Sequence, residues 1–210
     1  MPFKTYDEIL GDYGKYVKLQ KEKYCSHEMA VPRWEEGQKR YVEAVFANAN
    51  RDLKILDIAC GDGVGLRQFR SLGFKHIVGV DFNETKLEKA RESGYEVLGR
   101  DMHDLSDFAD RSFDIVYSSH SLEHAYRPAA VLSEFHRILV ANGTLLVVLP
   151  YPDTGDWNDE AHGAKYELGT NLVDHGQAVM NYFEAHGFEL LTHVFDRFRE
   201  PEIWLSFRRP

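Results

Sequence analysis

From Leu53 onward, short apolar runs rich in β-branched residues alternate with longer stretches whose apolar positions recur at helical spacing. That alternation is the signature of strands joined by crossover helices in a parallel sheet. Runs at 55–59, 76–80, 95–98, 113–118 and 144–149 predict strands, and helices are predicted at 64–72, 83–93 and 128–140. Gly73 and Gly94 close the first two helices; Pro128 opens the third, and Asn142-Gly143 ends it. After Pro150 the periodicity lapses for about twenty residues, a length that points to a functional segment in a compact domain. Order returns as a helix over 174–186, stopped by Gly187, and strands at 188–195 and 202–207. Residues 197–201 are too short a link for a parallel crossover, so these last strands form an antiparallel hairpin.

The 210 residues suit one domain covering 1–210. Within it, 1–50 forms a helical cap, 53–150 the ligand-binding core, 151–173 a covering segment over the substrate, and 174–210 the final helix and hairpin. Composition is that of an ordinary globule, but a net charge of −9 and a pI near 5.6 change the picture. A surface that neutralises many phosphates needs clustered Lys and Arg, so a nucleic-acid substrate is disfavoured. Cys25 and Cys60 lack metal or redox spacing, which suits a reducing compartment. The first ten residues carry no apolar leader, and no run reaches the roughly eighteen apolar residues of a membrane span. A cytoplasmic protein without membrane attachment is expected.

Candidate chemistry concentrates in 53–65, L-K-I-L-D-I-A-C-G-D-G-V-G, where a buried strand runs into glycines at alternate positions. Glycine there lets the backbone take positive φ and approach a ligand closely. A dinucleotide turn wants a third glycine where Leu66 stands, so that motif fails. Asp57 and Asp62 add a second objection, because a pyrophosphate against two carboxylates is repelled at short range. S-adenosylmethionine has no phosphate and carries a sulfonium and an ammonium, which an acidic turn suits. Asp81, ending the second strand, stands where an adenosine ribose presents its hydroxyls. Asp101-Met102, past the third strand, is placed to meet the adenine.

These residues, with F-D-I-V-Y-S-S-H-S-L-E-H over 113–124 and N-G-T-L-L-V-V-L-P over 142–150, resemble the class I S-adenosylmethionine-dependent methyltransferases. The resemblance covers about 53–150. It implies an α/β fold with a Rossmann-like, seven-stranded, mostly parallel sheet, helices on both faces and a C-terminal antiparallel hairpin. It also implies that Asp57, Gly61 and Gly63 surround the methionine moiety, Asp81 the ribose and Asp101 with Met102 the adenine, and that Phe82 and Ser119 belong to the cofactor site.

Methyl transfer draws much of its acceleration from alignment, and needs a base only when the acceptor arrives protonated. His120 and His124, after the fourth strand, are the candidate catalytic residues, since imidazole accepts protons near neutral pH. The segment is similar to the Glu-x-x-Glu-His stretch of ubiquinone-type O-methyltransferases, which can bind a divalent metal, with His120 replacing the first Glu. His120, Glu123 and His124 offer a metal set too nitrogen-rich for Mg²⁺. The alternative is that Glu123-His124 orients the next helix while His120 borders the cofactor. Tyr151, Trp157 and Tyr166 are expected to wall the substrate, with Asp153, Asp156, Asp159, Glu160 and His162 as polar contacts or metal ligands. Tyr24, His27, Arg33 and Trp34 close the other side, and Arg33 is placed to pair with the cofactor carboxylate.

No D/N/S-P-P-Y/F follows the fourth strand and no Pro-Cys pair occurs, so neither exocyclic-amine nor cytosine-C5 nucleic-acid methylation is signalled. The expected activity is methylation of a small molecule, on oxygen before nitrogen. A non-catalytic S-adenosylmethionine-binding module is the other reading, because fold does not fix function. The oligomeric state is left open.

Overall fold

Seven strands, β1 (Lys54–Ile58), β2 (His76–Asp81), β3 (Glu96–Gly99), β4 (Phe113–Ser119), β5 (Leu139–Pro150), β6 (Glu189–Asp196) and β7 (Glu202–Arg208), form one sheet in the order β3-β2-β1-β4-β5-β7-β6. The structure, a computed structural model, describes residues 11–24, 32–156, 159–197 and 200–210. Strands β1 to β5 pair in parallel, while β7 runs antiparallel to both β5 and β6. The predicted hairpin is therefore present, with β7 inserted between β5 and the edge strand β6.

Side-chain alternation along the strands divides the core into two layers. Ile55, Ile115, Tyr117, Leu146, Val148 and Trp204 face one side, packed against Val42 and Phe46 of α2 (Pro32–Phe46) and Phe69 of α3 (Val64–Ser71). Leu56, Ile58, Val116, Leu145, Val147 and Leu205 face the other, against α5 (Pro128–Ile138) and α7 (Gln177–Ala185). Two-sided burial explains why these strands read as nearly continuous apolar runs. Of the remaining helices, α4 (Glu84–Glu92) covers β2 and β3 through Leu87 and Ala90, and α1 (Tyr13–Tyr24) and α6 (Lys165–Leu168) lie beside the carboxyl ends of the strands.

Two boundaries depart from the sequence reading. The helix from Pro128 stops at Ile138, because Ser112 and Arg111 donate their backbone N–H groups to the carbonyls of Ile138 and Arg137 and Leu139 turns extended into the buried sheet. Asn142-Gly143 then forms an irregularity inside β5, with Asn142 at φ 61°, instead of capping a helix. The last helix starts at Gln177, since the Tyr151 hydroxyl accepts from Asp174 N and Gly176 N and Asp174 Oδ2 accepts from Ala178 N. Among the described residues no helix is long and apolar enough to cross a membrane.

Strand β2 approaches the glycine turn so closely that a Cβ on Gly79 would lie 2.6 Å from Cys60 Sγ and 3.0 Å from Leu66 Cδ1. Overpacking of this kind costs about 1–3 kcal/mol. Gly79→Ala is expected to lower the unfolding free energy by that amount in urea titrations. Cys60→Ala in the same chain should restore part of it.

Candidate active site

The strand order reverses between β1 and β4, so the chains leaving their carboxyl ends diverge and open a crevice. Two non-glycine residues there, Ala59 and His120, are held at φ 52° and 48°. Left-handed backbone costs such residues roughly 1–2 kcal/mol, a strain that folds keep where a site demands the geometry. Gly61 at φ 55° and Gly63 at φ 96° continue the turn into α3. Asp81 holds it from the side: its Oδ2 accepts from Gly61 N at 3.0 Å and its Oδ1 from Asn83 N at 2.7 Å. Burial pushes the Asp81 carboxyl above its usual range, against the pull of those two N–H groups.

Asp57 is buried beneath this turn, and its Oδ2 has no hydrogen-bond partner. Burial, and then the charge of Asp81, push its carboxyl well above the ordinary value. The α3 terminus reaches it only because Gly65 lacks a side chain: a Cβ there would overlap Asp57 Oδ2 and sit 2.9 Å from Tyr117. A buried carboxylate oxygen left without a donor is matched by a cationic ligand.

A cavity of about 650 Å³ opens over the turn. Asp57, Gly61, Asp81, Phe82 and Met102 line one end; Ser119, His120 and His124 line the other, with Tyr24, Asp153 and His162. Gly63 stays behind the turn. Asp101 is directed away: His103 Nδ1 lies 2.6 Å from its Oδ1, and the Tyr13 hydroxyl donates to its Oδ2. Burial would raise the Asp101 carboxyl, but these partners hold it below the usual range. Met102 alone of that pair reaches the cavity wall. Tyr151 and Tyr166 are also absent from it, their hydroxyls engaged with the 174–176 turn and with Asp159. His27, Trp157 and the side chains of Arg33 and Trp34 lie outside the described residues.

Beyond β4, a single 3₁₀ turn, Leu122–His124, sets Glu123 and His124 side by side. His120 lies between two buried carboxylates, with Nδ1 3.5 Å from Glu123 and Nε2 3.1 Å from Glu202. Burial alone would lower its pKa, yet the hydrogen bonds and charges of Glu123 and Glu202 raise it to about 9. Glu123 moves the other way, burial being outweighed by the surrounding histidines, which bring it to about 2. At His124 burial dominates and lowers the pKa to about 4. Its Nδ1 donates to the carbonyl of Ala161 at 2.7 Å, which puts the ring lone pair on Nε2. His162 stands edge-on to it, ring centroids 4.7 Å apart, with Nδ1 2.7 Å from Asp153 Oδ2.

Sequence reasoning missed Glu202, Gln38 and Gln20. Glu202 begins β7, and only the register of Pro150 with Glu202 carries it to His120. Gln38 of α2 donates to the Ser119 hydroxyl, and Gln20 of α1 to the Ala161 carbonyl. The available signal was polar residues amid apolar neighbours, which does not say where a helix docks.

Residues 56–147 match the family described as Methyltransferase domain. That stretch is a methyltransferase domain of the class I S-adenosylmethionine-dependent kind. The chain is 30% identical over 170 residues to the ubiquinone/menaquinone biosynthesis C-methyltransferase UbiE of Roseobacter denitrificans, covering 74% of this chain and 64% of that one. It is 31% identical over 173 residues to a sterol 24-C-methyltransferase of Neurospora crassa, covering 73% of this chain and 44% of the relative. The chain thus spans less than two thirds of either relative. A solved S-adenosylmethionine-dependent methyltransferase from Mesorhizobium loti shares the fold at TM-score 0.63 and 19% identity, covering 83% of this chain and 100% of that one.

This methyltransferase site fits the family's methyl donor, since the orphan oxygen of Asp57 offers a buried counter-charge and Asp81 holds the glycine turn open toward the cavity. Asp81→Asn replaces an acceptor by an amide NH₂ facing an N–H donor, an unsatisfied pairing worth about 1–3 kcal/mol. The variant is expected to lose that much stability in thermal unfolding. It should also weaken S-adenosylhomocysteine binding in calorimetry.

Proposed function

We propose that the protein transfers a methyl group from S-adenosylmethionine to an oxygen atom of a small-molecule acceptor. The reading rests on one observation: the acidic turn and the two imidazoles, His124 and His162, open into the same cavity. When bound, S-adenosylmethionine supplies an electrophilic methyl on a positively charged sulfonium. Asp57 and Asp81 place that end of the cavity under negative charge, which favours a cation over a pyrophosphate. Met102 and Phe82 supply apolar surface beside it.

At the far end, His124 and His162 each carry a lone pair on Nε2 once Nδ1 donates to Ala161 O or Asp153. Either ring is set to take the proton of an acceptor hydroxyl as its oxygen becomes the nucleophile. His120, with both nitrogens facing carboxylates, has the surroundings of a cation and is assigned the role of holding Glu123 and Glu202 together. The segment 151–173 then serves as the cover that brings His162 over the acceptor and excludes water. The volume suits a small molecule, and the net charge of −9 opposes a nucleic acid. Carbon is the second reading, favoured by the two relatives, both named as C-methyltransferases.

Calorimetry with S-adenosylhomocysteine is expected to give a dissociation constant tighter than about 1 mM; weaker binding removes the proposal. A panel of phenols, enols, carboxylates and amines, scored by S-adenosylhomocysteine release and product mass, should then select hydroxyl acceptors. His124→Asn is expected to lower kcat by roughly 10²–10⁴-fold with S-adenosylhomocysteine affinity preserved. Tight binding without turnover across the panel would favour a non-catalytic module.

A further inference from the structure

Glu123, His124 and His162 bring one ligand atom each within 4.8 Å of one another, from two segments far apart in the chain. Glu123 is 1% exposed, and its Oε2 has no hydrogen-bond partner. A buried carboxylate oxygen in that condition is costly unless a positive charge meets it. Behind the two imidazoles stand two acceptors, the Ala161 carbonyl on His124 Nδ1 and the Asp153 carboxylate on His162 Nδ1, each at 2.7 Å. An acceptor behind Nδ1 fixes the tautomer and turns Nε2 into the basic atom, the arrangement found behind metal-bound histidines.

We propose that Glu123, His124 and His162 form a binding site for one divalent transition-metal cation of the zinc class. Two imidazole nitrogens and one carboxylate suit zinc, iron(II) or manganese, whereas Mg²⁺ demands an oxygen shell. His120 stands outside the set, because Glu123 and Glu202 face its nitrogens. The ligand set thus differs from the His120, Glu123 and His124 group that sequence spacing suggests, and takes its third member from the covering segment.

The geometry also says what binding does. Zinc–ligand bonds of about 2.0–2.2 Å keep any two ligand atoms within about 4.4 Å, and the three ligand atoms here already lie within 4.8 Å of one another. Glu123 and His124 sit on one short turn after β4, whereas His162 comes from the segment 151–173. The cation clips 151–173 to the turn after β4. A cation there would replace His124 and His162 in their role toward the acceptor proton and supply a Lewis acid in the same cavity.

The test uses the full-length, untagged chain stripped of metal and dialysed against Zn²⁺ or Mg²⁺. One zinc per chain should be retained, with Mg²⁺ washed out. His162→Ala should abolish retention, and Asp153→Asn should weaken it about 10–100-fold. Co²⁺ in place of zinc should give visible d–d bands that His162→Ala removes, and zinc should slow proteolysis within 151–173. The proposal is overturned by a chain that retains no zinc, by equal retention in His162→Ala, or by Mg²⁺ held as firmly as zinc. S-adenosylhomocysteine binding, followed in the same samples, reports on the methyl-donor end separately, so failure of the metal site and failure of the methyl-donor reading are distinguishable.

Discussion

Everything at the site depends on β1 being paired in parallel on both flanks, to β2 through Asp57 with Gly79 and to β4 through Asp57 with Tyr117. That pairing puts the reversal of strand order at β1 and β4 and makes their exits diverge. It also buries Asp57 on a strand whose neighbours are apolar, so the carboxylate must be met by the glycine turn or by a ligand. Gly65 and Gly79 are then steric necessities. One lets α3 close over Asp57, the other lets β2 lie against Cys60 and Leu66.

The two ends of the cavity solve the cost of buried charge differently. At the Asp57 and Asp81 end burial drives both carboxyls upward, with the charge of Asp81 adding to it at Asp57, a cost that a cationic ligand relieves. At the other end the balance is internal, with His120 enclosed by Glu123 and Glu202. His120 and His124 are four residues apart in the chain and similarly buried, yet their proton affinities shift in opposite directions. The difference lies in what faces each ring, two carboxylates for His120, against one carboxylate and a second imidazole for His124.

The sheet was legible because strands buried on both faces announce themselves as apolar runs and its turns by glycine. The acidic turn was legible for the same local reason: Asp57, Gly61 and Asp81 lie at strand ends that periodicity alone locates. Asn142-Gly143 was misread because the same dipeptide serves a helix stop or a strand irregularity, and the burial of Leu139 decides between them. Glu202 and Gln38 were invisible because their partners lie 82 and 81 residues away in sequence and are reached only through sheet register and helix docking. Asp101 sits where expected in the chain, but Tyr13 and His103 compete for its carboxylate, and no local pattern encodes that competition.

The segment after β5 shows how an aperiodic stretch can still hold a side chain steadily. Lys165 is 1% exposed on α6, and a buried ammonium is tolerable only when its partners are in place. It donates to the Gly155 carbonyl at 2.6 Å and pairs with Asp159 at 2.8 Å, with Asp153 at 3.9 Å. Asp159 also accepts from the Tyr166 hydroxyl, and Asp153 N donates to Thr170 O. Two of the acidic residues that look in sequence like acceptor contacts are therefore spent first on Lys165, so the segment holds a buried charge of its own beside the apolar contacts of Tyr151, Ala164 and Leu168. Asp153 belongs to both arrangements, near Lys165 through Oδ1 and bound to His162 through Oδ2. The orientation of His162 toward His124 is thereby tied to the same buried charge that gives the segment its shape.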